Sequence, residues 1–351
     1  MQIIRESILA SAFRSLCNAF FGFFGIILAI IAVFSVIGSI SSTKVNSPST
    51  DRFQAKLLPD AQGNILPATE TDPILLQINI HGAIGKENLT DAHFETLLQK
   101  LQDNTLINMD RVKGLFLNID SRGGCVKSTF AIFQMLKAFK AKYSLPIMAY
   151  VDGTCASGGY YLACLADHIE CTPISVVGSV GARGGPFVNV QGLSEKYGVR
   201  AAYITAGKSK IYMPPFDSWP EQVEEIPGYN SLHNILEKIY DQFVEVVATH
   251  RAQQGLTRHL LETKYGAHVF IAEEAKEYGY IDDALATRRS SIEHLANACG
   301  LEGTYHVVSL EKQPPLLEQL FENNVNFIQS VLGLQSTQGY NMQYLYDPSL
   351  L

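Results

Sequence analysis

The chain has 351 residues, of which 47% are hydrophobic and 17% are charged, and it carries a net charge of −7 at pH 7. A chain of this length and composition can bury the core of one large domain or of two modest ones. The acidic balance offers no positive field for a phosphate backbone, so we expect no nucleic acid partner. The six cysteines show neither CxxC nor Cys/His ligand spacing, so we expect mostly buried thiols and no metal.

The first predicted element is a membrane helix. No charged residue occurs from Ser15 to Thr43, and this run exceeds the roughly 20 apolar residues that cross a hydrocarbon core. A cleavable signal peptide is the alternative, but its apolar region is normally about 7 to 15 residues long, which favours a retained anchor. Arg5 and Arg14 precede the run and Lys44 follows it. We therefore expect residues 1–14 in the cytoplasm and the rest of the chain on the exported side.

After the predicted anchor, the pattern changes to that of a linker and then a folded domain. Residues 44–70 mix Pro, Ser, Asn and Gly without a sustained period, which predicts a tether. Apolar patterning then predicts strands at about 74–80, 112–120 and 146–153, alternating with helices at about 90–102, 129–142 and 158–167. This alternation, with strands apolar on both faces, predicts an α/β domain with a largely parallel sheet covered by helices.

The sequence CASGG places Ser157 between a predicted strand and a predicted helix. It differs from the G-x-S-x-G nucleophile motif because Cys155 stands two positions before the serine. The free N–H groups and the dipole of a helix start stabilise negative charge, which suits a nucleophile that forms an oxyanion. The alternative is that Ser157 only caps the helix.

A second glycine element, NIDSRGGCV at Asn118–Val126, also ends a strand and begins a helix. Its Gly123 and Gly124 can direct backbone N–H groups at an anion. Two such elements together form an oxyanion hole for a tetrahedral acyl-transfer intermediate. Taken alone, the motif is equally typical of a plain turn before a helix.

The base for such a nucleophile is less clear from the residues. The nine histidines are scattered and form no recognisable His/Asp pair. A lysine can serve instead where burial disfavours its ammonium form. The segment YITAGKSKIYMPPF offers Lys208 and Lys210 after a predicted apolar strand, and either one suits the role. A solvated loop lysine is the alternative for both.

These motifs, in this order, closely resemble the signal peptide peptidase A family of membrane-anchored serine-lysine proteases, related in fold to Clp protease and crotonase. The resemblance rests on NIDSRGG, GTCASGGYYLACLADHIECTPISVVGSVG and GKSKIYMPP, and it spans about Pro73 to Ala284. It implies a protease domain of repeated β-β-α units at 71–300 and no cofactor. Residues 301–351 lie beyond it, and their periodicity predicts a partly helical extension.

The resemblance also implies roles for individual residues. It assigns the role of nucleophile to Ser157 and the role of general base to Lys210. It implies that Ser179 holds the lysine amine and that Gly124 and Gly158 are the oxyanion donors. The base is thus the second lysine of GKSK. The sequence departs from the family at Arg122 and Asp120, where proline and asparagine are usual, which puts the rigidity of the glycine turn in question.

The resemblance further implies a single-pass protein of the bacterial cytoplasmic membrane, with its protease domain on the exported side. Family members assemble into ring- or dome-shaped homo-oligomers. The substrates implied are signal-peptide remnants and other extended apolar peptides. Two rival hypotheses are a crotonase-like acyl-CoA enzyme and a non-catalytic membrane scaffold of the same fold.

Overall fold

A computed structural model describes residues 20–22, 24–25, 53–67, 69, 71–207, 210–226 and 228–312 of the chain. The chain divides into two units, Met1–Arg52 and Phe53–Leu351. In the first unit the described residues are helical. The remainder of the membrane span predicted at 15–43 lies outside the described residues. Among the residues that are described, no helix is both long enough and apolar enough to cross a bilayer.

The second unit is an α/β domain built around one sheet. Its strands are β1 (Phe53–Leu58), β2 (Ile74–His81), β3 (Val112–Ser121), β4 (Ile147–Ala156), β5 (His168–Cys171), β6 (Val176–Gly178), β7 (Val269–Ile271) and β8 (His306–Lys312). Its helices are α1 (Asp91–Gln102), α2 (Val126–Tyr143), α3 (Gly158–Ala163), α4 (Gln191–Lys196), α5 (Tyr229–His250), α6 (Arg258–Leu260), α7 (Ala272–Glu277) and α8 (Arg288–Ala298). A π-helical turn at Leu261–Tyr265 continues α6.

The sheet confirms the prediction of largely parallel pairing. Its strand order is β1-β8-β2-β3-β4-β6-β7, and β5 also pairs with β4. The central pairs are parallel, and the outer pairs, β1 with β8 and β6 with β7, are antiparallel. Because β3 and β4 run in the same direction, the segments that follow them meet at one edge of the sheet.

Helices cover both faces of the central strands, which explains their continuous apolar runs. On one face, Ile78 and Leu117 pack in a core with α1 and α2, to which Phe133 contributes. On the other face, Phe116 packs in a second core with α8, to which Leu295 contributes. This burial on both faces fixes the ends of β3 and β4.

The domain boundaries differ from those expected. β1 lies within the predicted linker 44–70, and β8 lies within the predicted extension 301–351. The two strands pair antiparallel with Phe53 opposite Lys312, and β8 also pairs with β2. β1 is an outer strand in which Phe53 alone is buried and the next three residues are exposed, so it has no continuous apolar run and depends on pairing with β8. The α/β domain therefore begins at Phe53 and includes β8.

Candidate active site

Ser157 stands in a strained turn between β4 and α3. Its backbone has φ 52° and ψ −124°, a conformation that costs a residue with a side chain about 1–3 kcal/mol. The N–H of Ser157 donates a hydrogen bond to the carbonyl of Gly178 at 2.9 Å, which holds the turn against the end of β6. The Ser157 side chain makes no capping hydrogen bond within the described chain. Ser157 thus occupies the N-cap position of α3, but its hydroxyl does not cap the helix.

The glycine turn after β3 lies directly against this serine. A Cβ on Gly123 would stand 2.5 Å from the nitrogen of Gly158 and 2.8 Å from the Cβ of Ser157. Side chains larger than hydrogen do not fit at that distance. The two glycine elements predicted to act together are thus brought together, and the contact requires glycine at this position.

Two backbone N–H groups beside Ser157 have no acceptor among the described residues, those of Gly124 and Gly158. The N–H of Gly158 belongs to the first turn of α3, where helical N–H groups have no partner within the helix. The neighbours of Gly124 point the other way, because the carbonyl of Gly123 and the N–H of Cys125 both bond to Ile84. Free backbone donors that lie together in this way can stabilise a developing oxyanion.

The start of α2 stabilises negative charge at the same place. Cys125 follows Gly124 directly and is exposed. The pKa of its thiol is lowered, chiefly by a hydrogen bond from the backbone N–H of Ser128. A helix N-terminus that favours a thiolate also favours an oxyanion one residue away.

A cavity of about 270 Å³ opens beside Ser157 and the two donors. Its apolar lining comes from α2, α3 and α5, and consists of Val126, Phe130, Tyr161, Ile239 and Phe243. Within the described chain, the lining includes no histidine and no carboxylate. The sequence did not indicate that α5 reaches this cavity, although Ile239 and Phe243 have the four-residue spacing of one helix face.

Lys127 also lines the cavity, and the sequence analysis did not identify it as a residue of the site. Its Nζ lies 2.9 Å from Oδ2 of Asp91, in an ion pair at the surface. The lysine side chain is 81% exposed. An ammonium group that pairs with a carboxylate in water stays protonated. Lys127 is therefore a positive charge at the edge of the cavity and is unsuited to act as a base.

Lys210 is not among the residues that line the cavity beside Ser157. Lys210 is exposed, and in the described part of the chain no hydrogen bond or ion pair involves its side chain. The apolar strand predicted before it is wrong, because residues 199–207 contain neither helix nor strand. Ile204 lies fully exposed there, so this stretch lacks the packing partner that a strand requires. Lys208 lies outside the described residues.

Ser179 lies closer to the nucleophile. It follows β6 with a positive φ of 54°, and its N–H donates to the carbonyl of His268 at 2.8 Å. The residue before it, Gly178, accepts the hydrogen bond from Ser157. The predicted site residues Ser157, Gly158, Gly124 and Ser179 are thus neighbours in the fold.

Five of the six cysteines follow the expectation in part, and Cys17 lies outside the described residues. Cys155, Cys164 and Cys171 are buried, whereas Cys125 is exposed and Cys299 is half-buried. Burial raises the pKa of the Cys164 thiol to about 12, so this thiol is inert at neutral pH.

Comparisons with known proteins find similarity to two families of proteases. Residues 139–302 match peptidase family S49, and residues 77–174 match the Clp protease family. A Methanocaldococcus jannaschii protein named "Putative protease" is 31% identical over 55% of this chain and 59% of its own length. An Enterococcus faecium protein named "Putative signal peptide peptidase SppA" is 28% identical over 59% of each chain. "Protease 4" of Salmonella typhi is 25% identical over 75% of this chain and 40% of its own length. The chain thus spans about three fifths of the first two relatives.

Proposed function

We propose that the chain is a serine endopeptidase of peptidase family S49, in which Ser157 is the nucleophile and Lys210 the general base. The observation that carries this proposal is the strained turn at Ser157, with two free backbone donors and an apolar cavity beside it. A serine that only stabilised the fold would have no need of that arrangement.

The proposed mechanism uses these groups in order. Neutral Lys210 takes the proton from Ser157 Oγ, and the alkoxide attacks the peptide carbonyl. The N–H groups of Gly124 and Gly158 bind the oxyanion of the tetrahedral intermediate. Protonated Lys210 then gives its proton to the leaving amine, and water hydrolyses the acyl-enzyme by the same steps in reverse. Ser179 holds the lysine amine in line with Ser157.

Assembly of several copies is part of this proposal. A lysine acts as a base only where burial disfavours its ammonium form, yet Lys210 is exposed in the single chain. The segment that carries Lys210, residues 182–228, also exposes large apolar side chains, among them Val188, Leu193, Tyr197 and Ile204. Contact between copies in a homo-oligomer would cover such a surface and remove Lys210 from water.

The proposed substrates are extended apolar peptides, signal-peptide remnants above all. The cavity beside Ser157 is large enough for one apolar side chain and offers it Val126, Phe130 and Phe243. Anchoring through residues 15–43 in the bacterial cytoplasmic membrane would hold the domain at its exported surface. Apolar peptides that leave the bilayer would then meet the enzyme at high effective concentration.

Digestion of a synthetic signal peptide tests the proposal. Full-length protein in detergent and its Ser157→Ala variant are incubated with the peptide, and the fragments are identified by mass spectrometry. We expect cuts within the apolar region from the wild type and none from the variant. Equal fragments from both proteins would exclude Ser157, and no cleavage at all would favour a scaffold or an acyl-CoA enzyme. Cuts mainly beside Lys and Arg would overturn the substrate assignment.

A further inference from the structure

The loop that follows β2, residues 82–89, clamps the glycine turn from the side opposite Ser157. The N–H of Ile84 donates to the carbonyl of Gly123 at 3.0 Å, and the carbonyl of Ile84 accepts from the N–H of Cys125 at 2.8 Å. The two bonds flank Gly124 on either side. Since N–H groups alternate in direction along extended backbone, this clamp turns the Gly124 N–H away from Ile84.

A buried hydroxyl fastens the same loop to the same turn. Ser121 is 1% exposed. Its Oγ donates to the carbonyl of Gly82 at 2.6 Å and accepts from the N–H of Gly123 at 3.2 Å. One side chain therefore ties the loop after β2 to the turn after β3.

The loop also contacts the second donor. The Cδ1 atom of Ile84 lies 3.2 Å from the place where a Cβ on Gly158 would stand. Ile84 is itself 2% exposed, so it has little freedom to move. Its main chain positions Gly124, and its side chain packs against Gly158.

We propose that Ser121 and Ile84 are positioning residues for the oxyanion hole, through which the loop after β2 fixes the N–H groups of Gly124 and Gly158. The inference rests on the proposed peptidase function. An oxyanion hole works because its donors are held before the reaction, at about 2.7–3.1 Å from the future oxyanion. Neither residue lines the cavity beside Ser157, and both act through Gly124 and Gly158, which do line it.

Steady-state kinetics of Ser121→Ala in the full-length protein test this role. Removal of the hydroxyl frees both the loop and the turn, and we expect kcat to fall about 10- to 100-fold, as for a misplacement near 1 Å. KM should change less than about twofold, because the hole contacts the transition state more than the substrate. Affinity for a peptide aldehyde, which adds Ser157 Oγ–H across its carbonyl and places oxygen in the hole, should fall in parallel with kcat.

Ser175→Ala is the matched control. Ser175 is also fully buried, and its hydroxyl likewise donates to a carbonyl, that of Val151, and accepts from a glycine N–H, that of Gly153. We expect similar destabilisation from this variant with unchanged kcat. Equal losses of kcat in both serine variants, or an unchanged kcat in Ser121→Ala, would overturn the inference.

A gentler pair of variants covers the case in which Ser121→Ala does not fold. Ile84→Val removes the methyl group that packs against Gly158, and Ile80→Val removes the same methyl from a fully buried residue of β2. We expect a several-fold loss of kcat from the first and none from the second, and equal kcat values would overturn the inference. If wild-type protein cleaves no peptide, or Ser157→Ala cleaves as well as wild type, the proposed function itself has failed.

Discussion

Ser157 lies at the end of a central strand, whereas Lys210 lies in a segment of almost 50 residues, 182–228, that contains one short helix and one 3-10 turn among its described residues. Main-chain hydrogen bonds and close glycine contacts hold Ser157 on several sides. Within the described part of the chain, no main-chain hydrogen bond or close glycine contact involves Lys210. The fold thus holds Ser157, the proposed nucleophile, and the proposed oxyanion donors in place, whereas Lys210, the proposed base, lies in a segment that carries little packing of its own.

Mutation of Lys210, the proposed base, is the most severe test of this contrast between the Ser157 site and the segment 182–228. Lys210→Ala should lower kcat by at least about 10³-fold, since the described lining of the cavity beside Ser157 includes no histidine or carboxylate to replace it. Lys208→Ala, two positions earlier in the same segment, should retain most activity. Peptide hydrolysis by both variants is measured against the wild type. An active Lys210→Ala beside an inactive Lys208→Ala would reverse the assignment.

The next largest loss of kcat is expected from Gly124, in the closely packed region around Ser157. Gly124→Ala would place a Cβ 2.1 Å from the carbonyl oxygen of Ile84, so the turn must move and the donor with it. Loss of one oxyanion donor costs about 10²–10³ in kcat. The same substitution at Gly192, in α4 of the segment that carries Lys210, meets no atom within 4 Å. Gly192→Ala should leave kcat unchanged, and similar losses in both variants would remove the distinction between the two regions.

A third prediction concerns how α5 is held. Arg251, at the end of α5, is 2% exposed and pairs with Asp282, with Nη1 2.8 Å from Oδ2. Arg251→Met leaves a buried carboxylate without its partner and should lower the free energy of unfolding by about 3–5 kcal/mol. Arg258→Met is the control, because Arg258 is 37% exposed in its ion pairs, where water screens the charges, and its loss should cost much less than that of Arg251. Urea denaturation measures both.

The same pair predicts a pH dependence. Burial alone would raise the pKa of Asp282, but the hydrogen bonds and the charge of Arg251, together with the N–H of Ile169 and the nearby His168, outweigh burial, and the pKa is lowered. A carboxyl with a lowered pKa in the folded state contributes stability above its unfolded pKa and loses it as pH falls. The difference in unfolding free energy between wild type and Arg251→Met should therefore shrink below about pH 4. A difference that is constant from pH 7 to pH 3 would contradict the account.

The smallest effect is expected at Asp120. Its Oδ1 accepts a hydrogen bond from the N–H of Thr154 at 2.9 Å, an acceptor that asparagine also provides. Asp120→Asn should change the free energy of unfolding by less than about 0.5 kcal/mol and leave kcat within about twofold. Asp120→Ala removes the acceptor and should cost more. A large loss from Asp120→Asn would show that the charge at the glycine turn matters, which this account does not predict.

Local sequence patterns predicted the rigid region well. The apolar runs of β3 and β4 and the glycines after them were sufficient to bring Ser157 and Gly124 to one edge of the sheet. The patterns failed where structure depends on distant partners. β1 and β8 pair across about 250 residues, and Ile84 contacts Gly124 from the loop after β2, so neither contact leaves a local signal. The strand predicted before Lys208 is absent for the opposite reason. Here the local apolar pattern is present, but no partner strand is available among the described residues, and an apolar run does not form a strand by itself.

Covalent labelling of the full-length protein tests the central claim most directly. The hydroxyl of an activated serine displaces fluoride from a fluorophosphonate and forms a stable phosphonyl ester. Peptide mapping by mass spectrometry then locates the ester on the chain. The account predicts one adduct, on Ser157, that is absent from Ser157→Ala and strongly reduced in Lys210→Ala. A wild-type protein that cleaves peptides while its adduct lies on another serine, or that labels equally well without Lys210, would contradict it.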